Sequence, residues 1–250
     1  MQEPAPLVPA TLVPAPLVPA TLVPAPLVRT EVQGHGFSWE KEILTNIFKV
    51  PAADLKTINY TSKIDLPANF NHLDHCDVSI KTSGSANAVC MADCLRVFDA
   101  VSSGTPLHLI VIHYKQHGAK KKVSTITELD LTSSRALLFG TLERTQLAEL
   151  DQAVKAVPQK SKPTAAERKM MYGIRNSLKP LSGALHLDIK CNSTQSRLQC
   201  SFNKFQPFIE KNPSLVVAKS LTNAFRGGLI SEELTSMRRA FKRNGLSNAK

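Results

Sequence analysis

Polar and apolar residues alternate most cleanly over residues 76–82, Cys-Asp-Val-Ser-Ile-Lys-Thr. A period of two predicts a half-buried strand, with Val78 and Ile80 facing a core and Asp77, Ser79 and Lys81 lining the other face. Residues 107–114, LHLIVIHY, are apolar and β-branched enough for a central strand, and STITELDL (124–131) alternates as its partner. Two further strand-like runs, ALHLDIK (184–190) and RLQCSF (197–202), flank the polar CNSTQS and predict a long-looped hairpin. Helical spacing dominates elsewhere. A helix starts at Ser38 and reads WEKEILTNIFK, with Trp39, Ile43, Leu44, Ile47 and Phe48 on its apolar face. Glu40 falls in the middle of that face and Glu42 on the opposite, surface side. VCMADCLRVFDAV (89–101) reads as a helix, 133–156 as one or two, and SEELTSMRRAFKR (231–243) as a basic final helix. Thr164-Ala-Ala-Glu167 is a capping box that opens a helix through about Leu178. Strands interleaved with helices predict an α/β fold with a mixed sheet flanked by helices.

The first residues depart from this pattern. Residues 4–28 are five copies of a PAPLV or PATLV pentamer and hold half of the chain's 16 prolines. Proline fixes φ and removes a hydrogen-bond donor, so a disordered or polyproline-like tail is expected over 1–30. A regular proline grid cannot satisfy its own backbone in lipid, which argues against a membrane anchor. The expected single folded domain is 31–250. Its part 31–157 carries the chemistry, and its part 158–250, after the basic PQKSKP linker, carries recognition.

Charge sharpens the picture. The chain has 31 Lys and Arg against 20 Asp and Glu, a net charge of +11, and this favours a polyanionic partner. Five cysteines, an odd number, and no visible signal peptide argue against a disulfide framework and for a cytoplasmic protein that is not secreted. No phosphate-cradling glycine loop and no dinucleotide fingerprint is present. Aromatic residues are scattered rather than paired on a strand, so a stacking platform for RNA is not evident.

Asp65, near Pro67, lies upstream of the 76–82 strand that carries Ser79 and Lys81, and Glu40 lies on the helix before it. This order resembles the PD-(D/E)XK nuclease core, in particular type II restriction endonucleases, over roughly residues 36–115. The resemblance implies a restriction-endonuclease-like fold and Mg²⁺-dependent hydrolysis of double-stranded DNA at a short site, leaving 5′-phosphate and 3′-hydroxyl ends. It also implies a homodimer and a cognate DNA methyltransferase. By position, Asp65 and Glu40 bind the metal and Lys81 orients or activates water. Ser79 stands where the family has an acid. Either Glu40 compensates, or Asp77 bends inward as a metal ligand, or the site is weak. Asp77 and Lys81 are four residues apart, roughly 13 Å along a strand, so position 79 is the more natural partner of Lys81.

Asp188-Ile189-Lys190 is a literal acid-x-lysine match on a predicted strand, but no helix with an inward acid precedes it. On the hairpin, Asn192, Gln195, Arg197 and Gln199 are candidates for reading bases, since Arg pairs with guanine and Asn or Gln with adenine. Lys120, Lys121 and Lys122 are candidates for phosphate contacts. His72, Cys76, Cys90 and Cys94 do not have a standard zinc spacing. A DNA-binding protein of the same fold without catalysis is the alternative reading.

Overall fold

The computed structural model describes residues 38–58, 64–158, 161–192 and 195–235, without the side chains of Asn192 and Gln195. The proline-rich repeat lies outside these residues. The protein is α/β, and its mixed sheet separates two hydrophobic cores.

The main sheet is built on β1 (Asp77–Ser83), β3 (Leu107–His117) and β4 (Lys120–Asp130). β1 runs parallel to β3, with Ser79 opposite Leu109 and Lys81 opposite Val111. β3 and β4 form a long antiparallel hairpin that turns at Gly118, where φ is +60°. The outer side of β4 pairs with β7 (Val216–Ser220) and, further along, with β10 (Glu233–Thr235). A parallel pair needs a crossover. Here β2 (Val89–Asp93) and α3 (Cys94–Ser102) make it, and β2 leaves the main sheet for a second one. That sheet has the order β2-β6-β5, with β5 at Leu185–Asn192 and β6 at Gln195–Phe202.

The β3 run is apolar at nearly every position because it is covered on both sides. Leu109 and Val111 enter the core formed with the second sheet and the helices α3, α4 (Arg135–Phe139), α5 (Arg144–Lys155) and α6 (Ala165–Leu178). Ile110 and Ile112 enter the other core with Val78, Ile80 and helix α1, which spans residues 38–47 and is π-helical over Ile43–Ile47. Trp39 of α1 is fully buried, and its indole N–H donates to the Ser231 carbonyl at 2.8 Å. Glu42, expected on the surface, is partly exposed and accepts from the amide and, at 2.8 Å, the hydroxyl of Ser231.

Two boundaries differ from the sequence pattern for local reasons. Residues 89–93 are strand, not helix. Val89 and Met91 are buried while Cys90 is exposed, and Ala92 takes φ +79° at a bulge against β6. Asp93 then caps α3 by accepting from the Arg96 amide at 3.0 Å. The expected final helix begins as β10, and its residues beyond 235 lie outside those described. The long hairpin loop is also shorter than expected, because the β5–β6 ladder continues to Asn192 and Gln195. The capping box at Thr164 and Glu167 is present as expected. Sequence reading missed α2 (Ala52–Thr57), α7 (Phe205–Lys211), β7 and the two-residue strands β8 (Ala224–Phe225) and β9 (Gly228–Leu229).

The second sheet is fixed beside the first by a close approach. A Cβ on Gly140 would lie 2.2 Å from the Leu181 carbonyl oxygen, and Gly140 has φ +62°. That contact lets Thr141 N–H donate to Leu181 and Ala184 N–H donate to Leu137, which launches β5. No helix of the described residues is long and apolar enough to cross a membrane.

Candidate functional site

The edge of β1 has a short antiparallel partner, a bridge between Leu66 and Val78. Beyond that bridge the edge backbone at Ile80 has no strand beside it among the described residues, and the Asp65 side chain takes the strand's place. One oxygen, Oδ2, accepts from the Ile80 amide at 2.6 Å, from Lys81 Nζ at 3.0 Å and from Ser79 Oγ at 3.2 Å. Lys81 Nζ also donates to the Ile80 carbonyl at 3.0 Å. The Asp65–Lys81 pair is about four-fifths buried, so its geometry is not a loose surface pairing. Among the described residues no donor reaches the other oxygen of Asp65.

Asp65, Ser79 and Lys81 line a cleft of about 380 Å³ between the two sheets. The opposite side brings residues that sequence reading did not single out. Asp93 comes from the end of β2, Arg96 from α3 and Lys155 from the end of α5. Arg197, which the sequence did single out as a base reader, joins them from β6. The four-residue span of Asp93 and Arg96 across a strand–helix junction carries an N-cap signal, which could have revealed the acid. Nothing in the sequence places Lys155 here. Lys155 is held by Asp151 at 2.5 Å, and Asp151 also accepts from the Leu198 amide, just past the end of the β2–β6 ladder. With its side-chain amide turned so that the oxygen faces the guanidinium, Gln199 accepts from Arg197 in turn. The cleft therefore presents two carboxylates, Asp65 and Asp93, and four cations, Lys81, Arg96, Lys155 and Arg197. Asp65 and Asp93 are the side chains that could hold a divalent metal, each offering an oxygen outside the hydrogen bonds just given.

Several expected site residues are elsewhere. Glu40 does not line the cleft. It sits on α1, which packs on the Val78 and Ile80 face of β1, whereas Ser79 and Lys81 point to the other face. Alternation along the strand makes the two positions incompatible. Asp77 does not bend inward either, because its Oδ1 accepts from the Ala68 amide at 2.8 Å. The lysine run is the start of β4, flanked by β3 and β10, rather than a free loop. Lys120 pairs with Glu233 and Lys122 with Glu232, each at 2.8 Å, and Lys121 is buried with its ammonium 5.2 Å from the Tyr114 ring centre. These acids raise the pKa of both exposed lysines. Asn192 and Gln195 form the last backbone pair of the hairpin, and their side chains lie outside the described residues. Gln199 is buried against Arg197 rather than displayed.

In the second tripeptide, Asp188 accepts from Ser201 Oγ at 2.5 Å and lies 3.1 Å from His186 Nδ1. Lys190 stands opposite Arg197 in the ladder. The zinc pattern weighed in the sequence is not assembled, since Cys76 belongs to one core and Cys94 to the other. All five cysteines are free. His108, at the border of the cleft, is held well above the usual imidazole range, at about 10, by the Cys76 thiol and the Glu128 carboxylate.

Compared with known proteins, the chain matches no family model, no curated protein and no solved structure.

Proposed function

We propose that this protein is a Mg²⁺-dependent endonuclease that cuts double-stranded DNA, with a restriction-endonuclease-like core and the site specificity of a type II restriction enzyme. The observation that carries the proposal is Asp65. Its carboxylate is gripped by Lys81 across a strand edge, in a cleft that also holds Asp93, Arg96, Lys155 and Arg197. Mg²⁺ binds through one or two carboxylates and leaves its other positions to water and phosphate, which suits a site offering Asp65 and Asp93. The ion would supply polarisation of the scissile phosphate and activation of water.

The chain's own residues do the rest. Arg96, Lys155 and Arg197 attract the DNA backbone and set its register, because phosphate contacts position without reading sequence. Lys81, fixed by Asp65 and the Ile80 carbonyl, places an ammonium where charge develops as the phosphodiester opens. Ser79 supplies a neutral donor to Asp65 where the family has an acid. The second carboxylate then comes from Asp93, on the crossover, instead of from Glu40 or Asp77. A two-fold site would call for a homodimer, and a restriction activity for a protecting DNA methyltransferase.

A second reading, a DNA-binding protein without catalysis, is favoured by one observation: Asp65 already has three donors on one oxygen. Cleavage of a long natural duplex separates the two. Discrete fragments with Mg²⁺ that vanish with EDTA, and in Asp65→Asn, are the expected result. Binding without cleavage under every divalent metal tried would leave only the second reading.

A further inference from the structure

We propose that Asp74, Cys76 and His108 form a Zn²⁺ site on the face of the main sheet opposite the cleft, sharing only His108 with the cleft's border. One donor atom from each residue lies within 4.8 Å of the others. A tetrahedral zinc ion holds N, O and S donors roughly 3.5 Å apart, so the three need to close by about an ångström, which side-chain rotation supplies. Thiolate, imidazole and carboxylate together favour zinc over the hard Mg²⁺ of the cleft.

The surroundings have the form of a metal site's outer shell. His108 Nδ1 is 2.8 Å from Glu128 Oε1, so the other nitrogen, Nε2, is the one left for a metal. A carboxylate on the second imidazole nitrogen is the usual way a metal-binding histidine is oriented. Glu128 is fully buried, and its Oε2 has no hydrogen-bond partner among the described residues. A carboxylate buried this way is costly unless nearby positive charge offsets it. Arg226 approaches Glu128 at 3.5 Å and grips Asp74 through both guanidinium ends, at 2.5 and 2.7 Å. The segment bearing Asp74 and Cys76 is preset. The buried Asn71 accepts from the Leu73 and Asp74 amides at 3.2 Å, and donates to the Cys76 carbonyl at 2.9 Å. His75, between the two ligands, takes φ +53°. Cys76 is 2% exposed, so a substrate cannot reach its sulfur and a structural ion suits it better than nucleophilic chemistry. A water completes the tetrahedron. Binding displaces the protons of Cys76 and His108 to solvent, so no redox partner is needed. The ion would pin residues 71–76 to β3, just ahead of the strand that carries Ser79 and Lys81.

The test uses the full chain, stripped with a chelator and desalted, with no DNA present, so its result is independent of the nuclease reading. Zn²⁺ is titrated against a chromophoric chelator, and Co²⁺ is added in parallel. The expected result is one equivalent of tightly held zinc, with a thiolate-to-cobalt charge-transfer band in the near ultraviolet. Cys76→Ser should remove the band, while Glu128→Gln keeps it and weakens binding by ~10–100-fold. Asp74→Asn, which keeps shape and the Asn71 contacts, guards against misfolding of the cysteine variant and should also weaken binding. Failure of the wild-type chain to bind zinc overturns the site. So does a band that survives Cys76→Ser.

Discussion

Two strands of this protein carry the same short pattern, and only one makes a cleft site of it. β1 reads Ser79-Ile80-Lys81 and β5 reads Asp188-Ile189-Lys190. By residue type alone, β5 is the better match to an acid-x-lysine motif. In space the order reverses. β1 is an edge strand, so the amide and carbonyl of Ile80 are open to a side chain from outside the sheet, and Asp65 and Lys81 fill them. β5 is also an edge strand, but its Asp188 is spent on Ser201 and His186 within its own sheet. What distinguishes them is the chain that arrives beside each. Residues 64–66 bring Asp65 to β1, and nothing comparable among the described residues brings a second acid to Lys190. A tripeptide is only half of such a site, and the missing half comes from a segment that the motif does not contain.

The sharpest break of that comparison is functional. Lys81→Ala should lower Mg²⁺-dependent cleavage of duplex DNA by ~10²–10⁴-fold, the usual scale for a positioned proton-transfer or charge-stabilising group. Lys190→Ala should leave the rate within about threefold by the same reasoning, since its side chain does not line the cleft. Fragment yields at matched enzyme concentration read both. Retained cleavage in Lys81→Ala with loss in Lys190→Ala would move the active site to β5.

The next effect concerns stability and should run the other way. Ser201→Ala removes a short hydrogen bond to the carboxylate of Asp188 and should cost about 1.5–3 kcal/mol in denaturant unfolding. Ser79→Ala, which removes a 3.2 Å bond while Asp65 keeps two other donors, should cost less than about 1 kcal/mol. Equal losses would mean that Asp188 is no more structural than Asp65.

Much of this was legible in advance because it depends on period and neighbours. Val78 and Ile80 had to face one way and Ser79 and Lys81 the other, and the LHLIVIHY run had to be covered twice. That same alternation excludes Glu40, since an acid on a helix packed against Val78 cannot reach Lys81. Its position on the helix was readable, but the side of the sheet on which α1 docks was not. Asp93 was hidden for a different reason. VCMAD fits both a helix and a bulged strand, and only its pairing with β6 decides. The lysine run looked like free charge because Glu232 and Glu233, its partners, are more than a hundred residues away and were expected in a helix. Composition gave the net charge but not where the charge is cancelled.

A gain of function would sharpen the comparison further. Ser79→Asp gives β1 the acid that β5 already has. It adds a metal-facing carboxylate beside Asp65, at the cost of like-charge repulsion that Lys81 and a bound cation offset. We expect tighter Mg²⁺ dependence, with half-maximal cleavage at about tenfold lower metal, a gain of about 1.4 kcal/mol. Asp188→Asn should leave that metal dependence unchanged. A Ser79→Asp variant with unaltered or weaker Mg²⁺ dependence would place the second ligand at Asp93 alone.

The smallest effect tests whether the main sheet, rather than the second, sets the stability of the molecule in mild acid. His113, on β3, is buried, its Nε2 has no partner among the described residues, and burial, followed by the nearby Lys219 charge, lowers its pKa. The unfolded chain therefore binds a proton that the folded chain resists. Stability should be unaffected well above pH ~6.5 and should fall as the pH drops through that value, levelling off below the lower folded-state pKa. His113→Leu removes the titrating group and keeps an apolar filler beside Phe205, whose ring centre is 5.4 Å away. Its unfolding midpoint should fall less steeply as the pH drops below neutral than that of the wild-type chain. His186, which lies against Asp188 on the second sheet, is the control. If His186→Leu flattens the acid limb and His113→Leu does not, the sheet bearing the literal tripeptide governs the acid response, and the main sheet does not.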